Sequence, residues 1–258
     1  MGLEPDLVGH LNRALVDLSL PIRPGMFPIA EASNVKLTVL HDHDSSPMGM
    51  FETQLRMSCH AGTHIDYASH IDPDGPRAFT EDGFRDSLFP EATLTTAYLM
   101  AFDGKQGTDR LPDDAFRFGD QITRDEVEGW FQRFDAAHPG FDHAAVTGAI
   151  LRTGWNDSYF EPDFFKRGSP TLSDNATQAL MERGLDYIGS DFLFSAHPGG
   201  THDIVMRGTH RFQVEGLCNL GSLNGPLIGL LIAPLKIVGA EGLPARVYAF
   251  DLVPSAHA

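Results

Sequence analysis

Apolar and polar residues alternate along Val35-Lys-Leu-Thr-Val-Leu40 and Phe51-Glu-Thr-Gln-Leu-Arg-Met57, the period-2 signature of half-buried strands. Residues 16–22 read as a further strand with a proline-rich exit, and residues 92–102 are rich in strand formers. Residues 144–151 are mostly apolar and read as a buried strand. Residues 186–191 read as a strand ending at a loop, and residues 227–232 and 246–252 as closing strands. Only two segments carry helix signals. Thr123-Arg-Asp-Glu126 is a capping box opening a helix to about His138, and Ser173 caps a second whose apolar side is Ala176, Leu180 and Met181, stopped by Gly184. The pattern predicts a strand-rich α/β protein with few helices and no repeat.

The segment His60-Ala-Gly-Thr-His64-Ile-Asp66-Tyr-Ala-Ser-His70 interrupts this pattern with chemistry. Three histidines and an aspartate fall at offsets 0, 4, 6 and 10. Even offsets put all four side chains on one face of an extended chain. A helix would split them, with His60 and His64 nearly opposite Asp66 and His70. A straight strand would hold His60 and His70 about 33 Å apart at roughly 3.3 Å per residue, so the segment must curl to gather them. The curl is easiest at Gly62, where glycine tolerates backbone angles other residues avoid. Two imidazoles and a carboxylate so gathered suit zinc, manganese or iron(II). His41 and His43 read as solvated loop residues.

Composition narrows the field. The 258 residues carry a net charge of −16, which argues against nucleic acid and anionic membranes as partners. No apolar run is long enough to span a bilayer, and the N-terminus lacks a signal-peptide pattern. Two cysteines, Cys59 and Cys218, make no disulfide framework, so a cytoplasmic location is expected.

A second polar cluster runs through Asp191, His197, His202 and Asp203 to His210 and Glu215. Pro198-Gly-Gly200 predicts a turn, which places these residues on a loop. Another imidazole and carboxylate from here would complete a first metal or hold a second. Arg152-Thr-Gly-Trp155 reads as a strand-to-loop exit with one aromatic packed on the core.

Together these motifs resemble the metal-dependent cyclase-like hydrolases, which include bacterial kynurenine formamidases and isatin hydrolases. The family signature H-x-G-T-H-x-D-x-P-x-H matches His60 to His70 at every ligand position. Shorter matches are Asp17-Leu-Ser-Leu-Pro21, Arg152 to Trp155, Gly189-Ser-Asp191, His202 with Glu215-Gly-Leu217, and Pro244-Ala-Arg-Val247. The signature proline is Ala68 here, a departure that removes stiffness but no ligand.

The resemblance implies a swivelling β/β/α fold in one domain over residues 1–258, with extra length around residues 103–140, and a homodimer or homotetramer. It implies one or two divalent ions, Zn2+ or Mn2+, on His60, His64, Asp66, His202 and Glu215, with His70 as proton shuttle. His197 or His210 stand as substitutes for His202. The expected reaction is hydrolysis of an amide, lactone or ester bond in a small, partly aromatic or cyclic substrate. Phe51, Met57, Phe79, Trp155 and Phe194 are candidate pocket walls. Alternatives are an isatin hydrolase-like cyclic-amide hydrolase, a non-haem iron oxygenase using His64, Asp66 and His202, and a non-catalytic metal-binding protein.

Overall fold

The computed structural model describes residues 14–26, 35–78, 93–108, 118–158 and 168–252. Phe79 lies outside them. Among the described residues, twelve strands and three α-helices follow one another as β1 (Val16–Asp17), β2 (Lys36–His41), β3 (Glu52–Arg56), β4 (His64–Asp66), β5 (Thr93–Ala101), β6 (Phe118–Ile122), α1 (Arg124–Ala137), β7 (Gly148–Arg152), β8 (Ser169–Leu172), α2 (Asp174–Met181), β9 (Tyr187–Ser190), α3 (Thr201–Met206), β10 (Phe212–Glu215), β11 (Leu227–Pro234) and β12 (Gly242–Asp251). No described helix is long and apolar enough to cross a membrane.

The main sheet runs β1-β12-β11-β5-β7-β9-β10-β4, and β4 also pairs with β12. That extra pairing closes β12, β11, β5, β7, β9, β10 and β4 into a ring, with β1 added outside on β12. Strands β5, β7, β9 and β10 are mutually parallel, and the other pairings of the ring are antiparallel. The helices occur in the crossovers between these parallel strands, as parallel pairing requires.

Alternation along the strands sorts residues into two cores. Ala97, Leu99, Ile150, Tyr187, Phe212 and Val214 join Leu230, Leu243 and Val247 inside the ring. Their neighbours Tyr98, Met100, Ala149, Leu151 and Ile188 pack outward against Val127, Phe131 and Phe134 of α1 and Ala176 and Leu180 of α2. Strand β7 is therefore buried on both faces, which explains its continuous apolar sequence. The buried positions of α1 are spaced by four and three residues, one helical face. Its capping box is complete: Glu126 N–H donates to Thr123 Oγ1, and Thr123 N–H donates to Glu126 Oε2.

Several boundaries differ from the sequence expectation. The apolar run at residues 144–151 becomes strand only from Gly148, because Asp142 accepts the Ala144 N–H and turns residues 143–145 into a short helical turn. Strand β1 is two residues long, and β12 starts at Gly242 rather than Arg246. The segment after Gly200 is a helix, α3, not a loop. The β2–β3 hairpin forms as expected, but its alternating face is not covered: Leu37 and Leu55 stand opposite each other and are 52% and 50% exposed.

Asp191, at the end of β9, ties the ring to the loop after β7. Its carboxylate accepts the Thr153 N–H at 3.0 Å, the Thr153 hydroxyl at 2.8 Å and the Gly154 N–H at 2.7 Å. Burial pushes this carboxyl up to about 7, against the pull of those donors. Replacing Asp191 by alanine would orphan three donors, the two on Thr153 buried and the Gly154 N–H partly so. The expected loss is on the order of 3 kcal/mol of unfolding free energy in urea titrations, and a loss well below 1 kcal/mol would contradict this role.

Candidate metal centre

Strand β4 is three residues long and wholly buried. Ile65 points into the ring with Val214 of β10 and Leu243 of β12. By strict alternation His64 and Asp66 leave by the other face, as do Gln213 and Glu215 of β10. Antiparallel register places Glu215 opposite His64 and Gln213 opposite Asp66. Helix α3 brings His202 to the same side.

The curl expected from Gly62 is present, with φ of +69°. Thr63 fixes it: its hydroxyl donates to Gly216 O at 2.6 Å and accepts the Leu20 N–H at 2.8 Å. Beyond Asp66 the chain turns through a short helical segment, Ala68–His70, which carries His70 back over the cluster. The His70 ring lies 4.3 Å from that of His60, centroid to centroid, and 5.8 Å from that of His202.

Five ligand-type side chains converge. His60 Nδ1 stands 2.7 Å from Asp66 Oδ1 and His64 Nε2 stands 3.5 Å from it. His202 Nε2 is 3.3 Å from Asp66 Oδ2 and 3.7 Å from Glu215 Oε1. His64 Nε2 is 3.9 Å from Glu215 Oε2. The Phe194 N–H donates to Glu215 Oε1 at 3.0 Å and holds that carboxylate in place. His64 and His202 each turn Nδ1 to a backbone carbonyl, Gly62 O and Ser195 O, both at 2.9 Å. This orients each ring with Nε2 toward the carboxylates.

The residues present fit a divalent cation. Asp66 Oδ1 is buried without a hydrogen bond, although His60 Nδ1 is only 2.7 Å away. Two donor atoms that close, yet misaligned for a hydrogen bond, are arranged as neighbours in a coordination shell. His60, His64 and Asp66 form one donor group, and Asp66, His70 and His202 a second; within each, the donor atoms lie within 4.8 Å of one another. Asp66 belongs to both. The donor set is imidazole and carboxylate, which zinc and manganese accept.

Electrostatics agree. Burial would push Asp66 up, but His64, His202 and His60 hold it well below the ordinary carboxylate range. Burial pushes Glu215 up, with the Asp66 charge adding to it. Burial would lower His202, yet its bond to Asp66 and the charge of Glu215 bring it to about 9. Burial lowers His70, and the neighbouring His60 and His202 lower it further against the pull of Asp66.

Of the sequence candidates, the structure gathers His60, His64, Asp66, His70, His202 and Glu215. His197 turns away to Asp174, 3.4 Å off, and is largely exposed, as is His210. His41 and His43 lie on the exposed hairpin. Phe51 is on that hairpin too, 54% exposed. Phe194 is buried, and its ring packs edge-on to Phe192. Trp155 and Met57 are half-buried against a small cluster of Leu20, Met26 and Cys218, with the Trp155 indole N–H donating to Gly168 O. Sequence reasoning missed the anchoring roles of Thr63 and the Phe194 N–H, and it missed Glu241, whose Oε1 lies 3.4 Å from His60 Nε2. A backbone amide has no sequence signature, and an isolated glutamate between Ala240 and Gly242 offers none either.

A closed mixed sheet with helices outside it, carrying a centre of three imidazoles and two carboxylates that could hold a cation, defines a swivelling β/β/α protein. The chain belongs to the cyclase family: the family described as "Putative cyclase" matches residues 16–196. It is 26% identical to Cyclase-like protein 1 of Arabidopsis thaliana over 204 residues, 75% of this chain and 67% of that protein. It is 24% identical to a kynurenine formamidase of Salinibacter ruber over 246 residues, 92% of this chain and 98% of that protein. Among solved structures, isatin hydrolase A of Ralstonia solanacearum superposes with a TM-score of 0.67 at 21% identity, covering 96% of this chain and 97% of that one, and so shares the fold.

Replacing Asp66 by alanine removes the residue common to both donor groups. After both proteins are loaded with a divalent metal and desalted, elemental analysis should find it retained by the unaltered protein and lost from the variant, and full occupancy of the variant would refute the assignment.

Proposed function

We propose that this chain is a metal-dependent hydrolase that cleaves an amide, lactone or ester bond in a small aromatic or cyclic substrate. The observation that carries this reading is His70, held against His60 at the exposed edge of a buried cluster whose other donors are His64, Asp66, His202 and Glu215. A divalent cation bound there supplies Lewis acidity, making hydroxide available at neutral pH and polarising a carbonyl. His64 and His202 present Nε2 with their rings locked by Gly62 O and Ser195 O. Asp66 spans both donor groups. His70 takes a proton from water at a ring nitrogen and returns it to the leaving nitrogen or oxygen, a role its pKa range suits. The kynurenine formamidase relative and the isatin hydrolase neighbour support an aryl amide as substrate class, and the imidazole and carboxylate donors suit Zn2+ or Mn2+. A facial-triad oxygenase would account for His64, Asp66 and His202 but leave His60, Glu215 and His70 without a task.

The hairpin supports a homo-oligomer. Its apolar face carries Leu37, Val39, Leu55 and Phe51, all exposed, and an isolated two-stranded hairpin is marginal in water. A second copy of the chain is the occupant this face fits.

Turnover should appear on N-formylkynurenine, isatin or simple lactones, vanish on chelation and return with zinc or manganese. Replacing His70 by alanine should cut turnover by about 100- to 10,000-fold with metal retained. Metal loss in that variant would make His70 a ligand instead. Replacing Leu37 and Leu55 by lysine should lower the mass measured by light scattering, and an unchanged mass would place the contact elsewhere.

A further inference from the structure

A ligating imidazole needs an acceptor for its second ring nitrogen, which fixes the tautomer and the ring's direction. His64 and His202 find that acceptor in backbone carbonyls, through Nδ1. His60 is turned the other way. Its Nδ1 faces Asp66, so Nε2 is the outer nitrogen, and Nε2 is buried with no hydrogen bond. Among the described residues, the carboxylate within ion-pair reach of Nε2 is Glu241, with Oε1 at 3.4 Å. The distance is a few tenths of an ångström beyond a good N–H···O bond. The Glu241 side chain is 43% exposed, so it has room to close that gap.

The backbone places Glu241 there deliberately. Its carbonyl accepts the Tyr67 N–H at 2.9 Å, and the next residue, Gly242, pairs with Asp66. The β4–β12 pairing thus sets Glu241 beside the ligand strand. Gly242 makes room for the ring: a Cβ there would lie 2.5 Å from His60 Cε1 and 2.9 Å from Nε2. Glutamate followed by glycine is what this corner requires, one to receive the N–H and one to let the ring lie flat against the strand.

We infer that Glu241 is the positioning residue for His60: its carboxylate accepts the Nε2–H and holds the tautomer whose Nδ1 faces the cation. The inference rests on the metal reading above. It assigns Glu241 no contact with substrate and no proton transfer.

The test compares the unaltered protein with Glu241→Ala and Glu241→Gln, each stripped of metal. Zinc affinity is measured by competition with a chromophoric chelator, and the tautomer of His60 in the zinc-loaded protein by nitrogen-15 NMR. Glu241→Ala should weaken zinc by about 10- to 100-fold while the metal-free variant unfolds at the same urea concentration as its parent. Glu241→Gln keeps an acceptor oxygen and should recover most of the affinity. In the unaltered protein His60 should carry its proton on Nε2. Unchanged affinity in Glu241→Ala, equal weakening in both variants, or a proton on Nδ1 would each overturn the inference. If the unaltered protein binds neither zinc nor manganese, the metal reading itself fails and this inference goes with it.

Discussion

Two carboxylates, Asp66 and Glu215, share a buried space in which every ion pair that the described residues make with them comes from a histidine. Buried charge of one sign is costly unless something of the other sign stands beside it. Of the imidazoles around them, His202, brought to about 9, answers part of that need. A divalent cation meets it fully. The surrounding structure is therefore organised around an electrostatic demand: a tight turn at Gly62, a threonine pinning it, a backbone amide on Glu215 and carbonyls behind two of the rings.

The ring of strands gives those donors their rigidity. His64 and Asp66 sit on β4, Glu215 on β10, and β4 is hydrogen-bonded on both sides. Ligands on a strand between two neighbours have little freedom to drift, which suits a site that must hold its geometry to a fraction of an ångström. His202 comes from a short helix rather than a strand. It is tied down by its Nδ1 contact to Ser195 and by the Ser195 hydroxyl, which receives the Thr201 N–H at 3.0 Å.

The part of this design that is local in sequence was legible there. His60, His64, Asp66 and His70 lie within one short segment, and their even spacing with a glycine in the curl is a local signal. The capping box before α1 and the serine cap before α2 are local too. What sequence could not show depends on pairings between distant segments. Pro198-Gly-Gly200 read as a loop, and α3 follows at once because Ser195 supplies the first-turn hydrogen bond that Gly200 lacks. The alternating residues of β2 and β3 read as strands with one covered face, yet Leu37, Val39 and Leu55 on that face are about half exposed. Glu241 carries no local pattern at all. Only the β4–β12 register reveals that it stands behind His60.

Strand β4 is only three residues long, and it is the stave that closes the ring. The residues that complete the architecture are the same ones that crowd negative charge together. Without a counterion the last seam is where repulsion concentrates, and with one the seam is riveted. Ion supply and lifetime of the folded chain are consequently linked, since whatever binds only the closed form stabilises it by mass action.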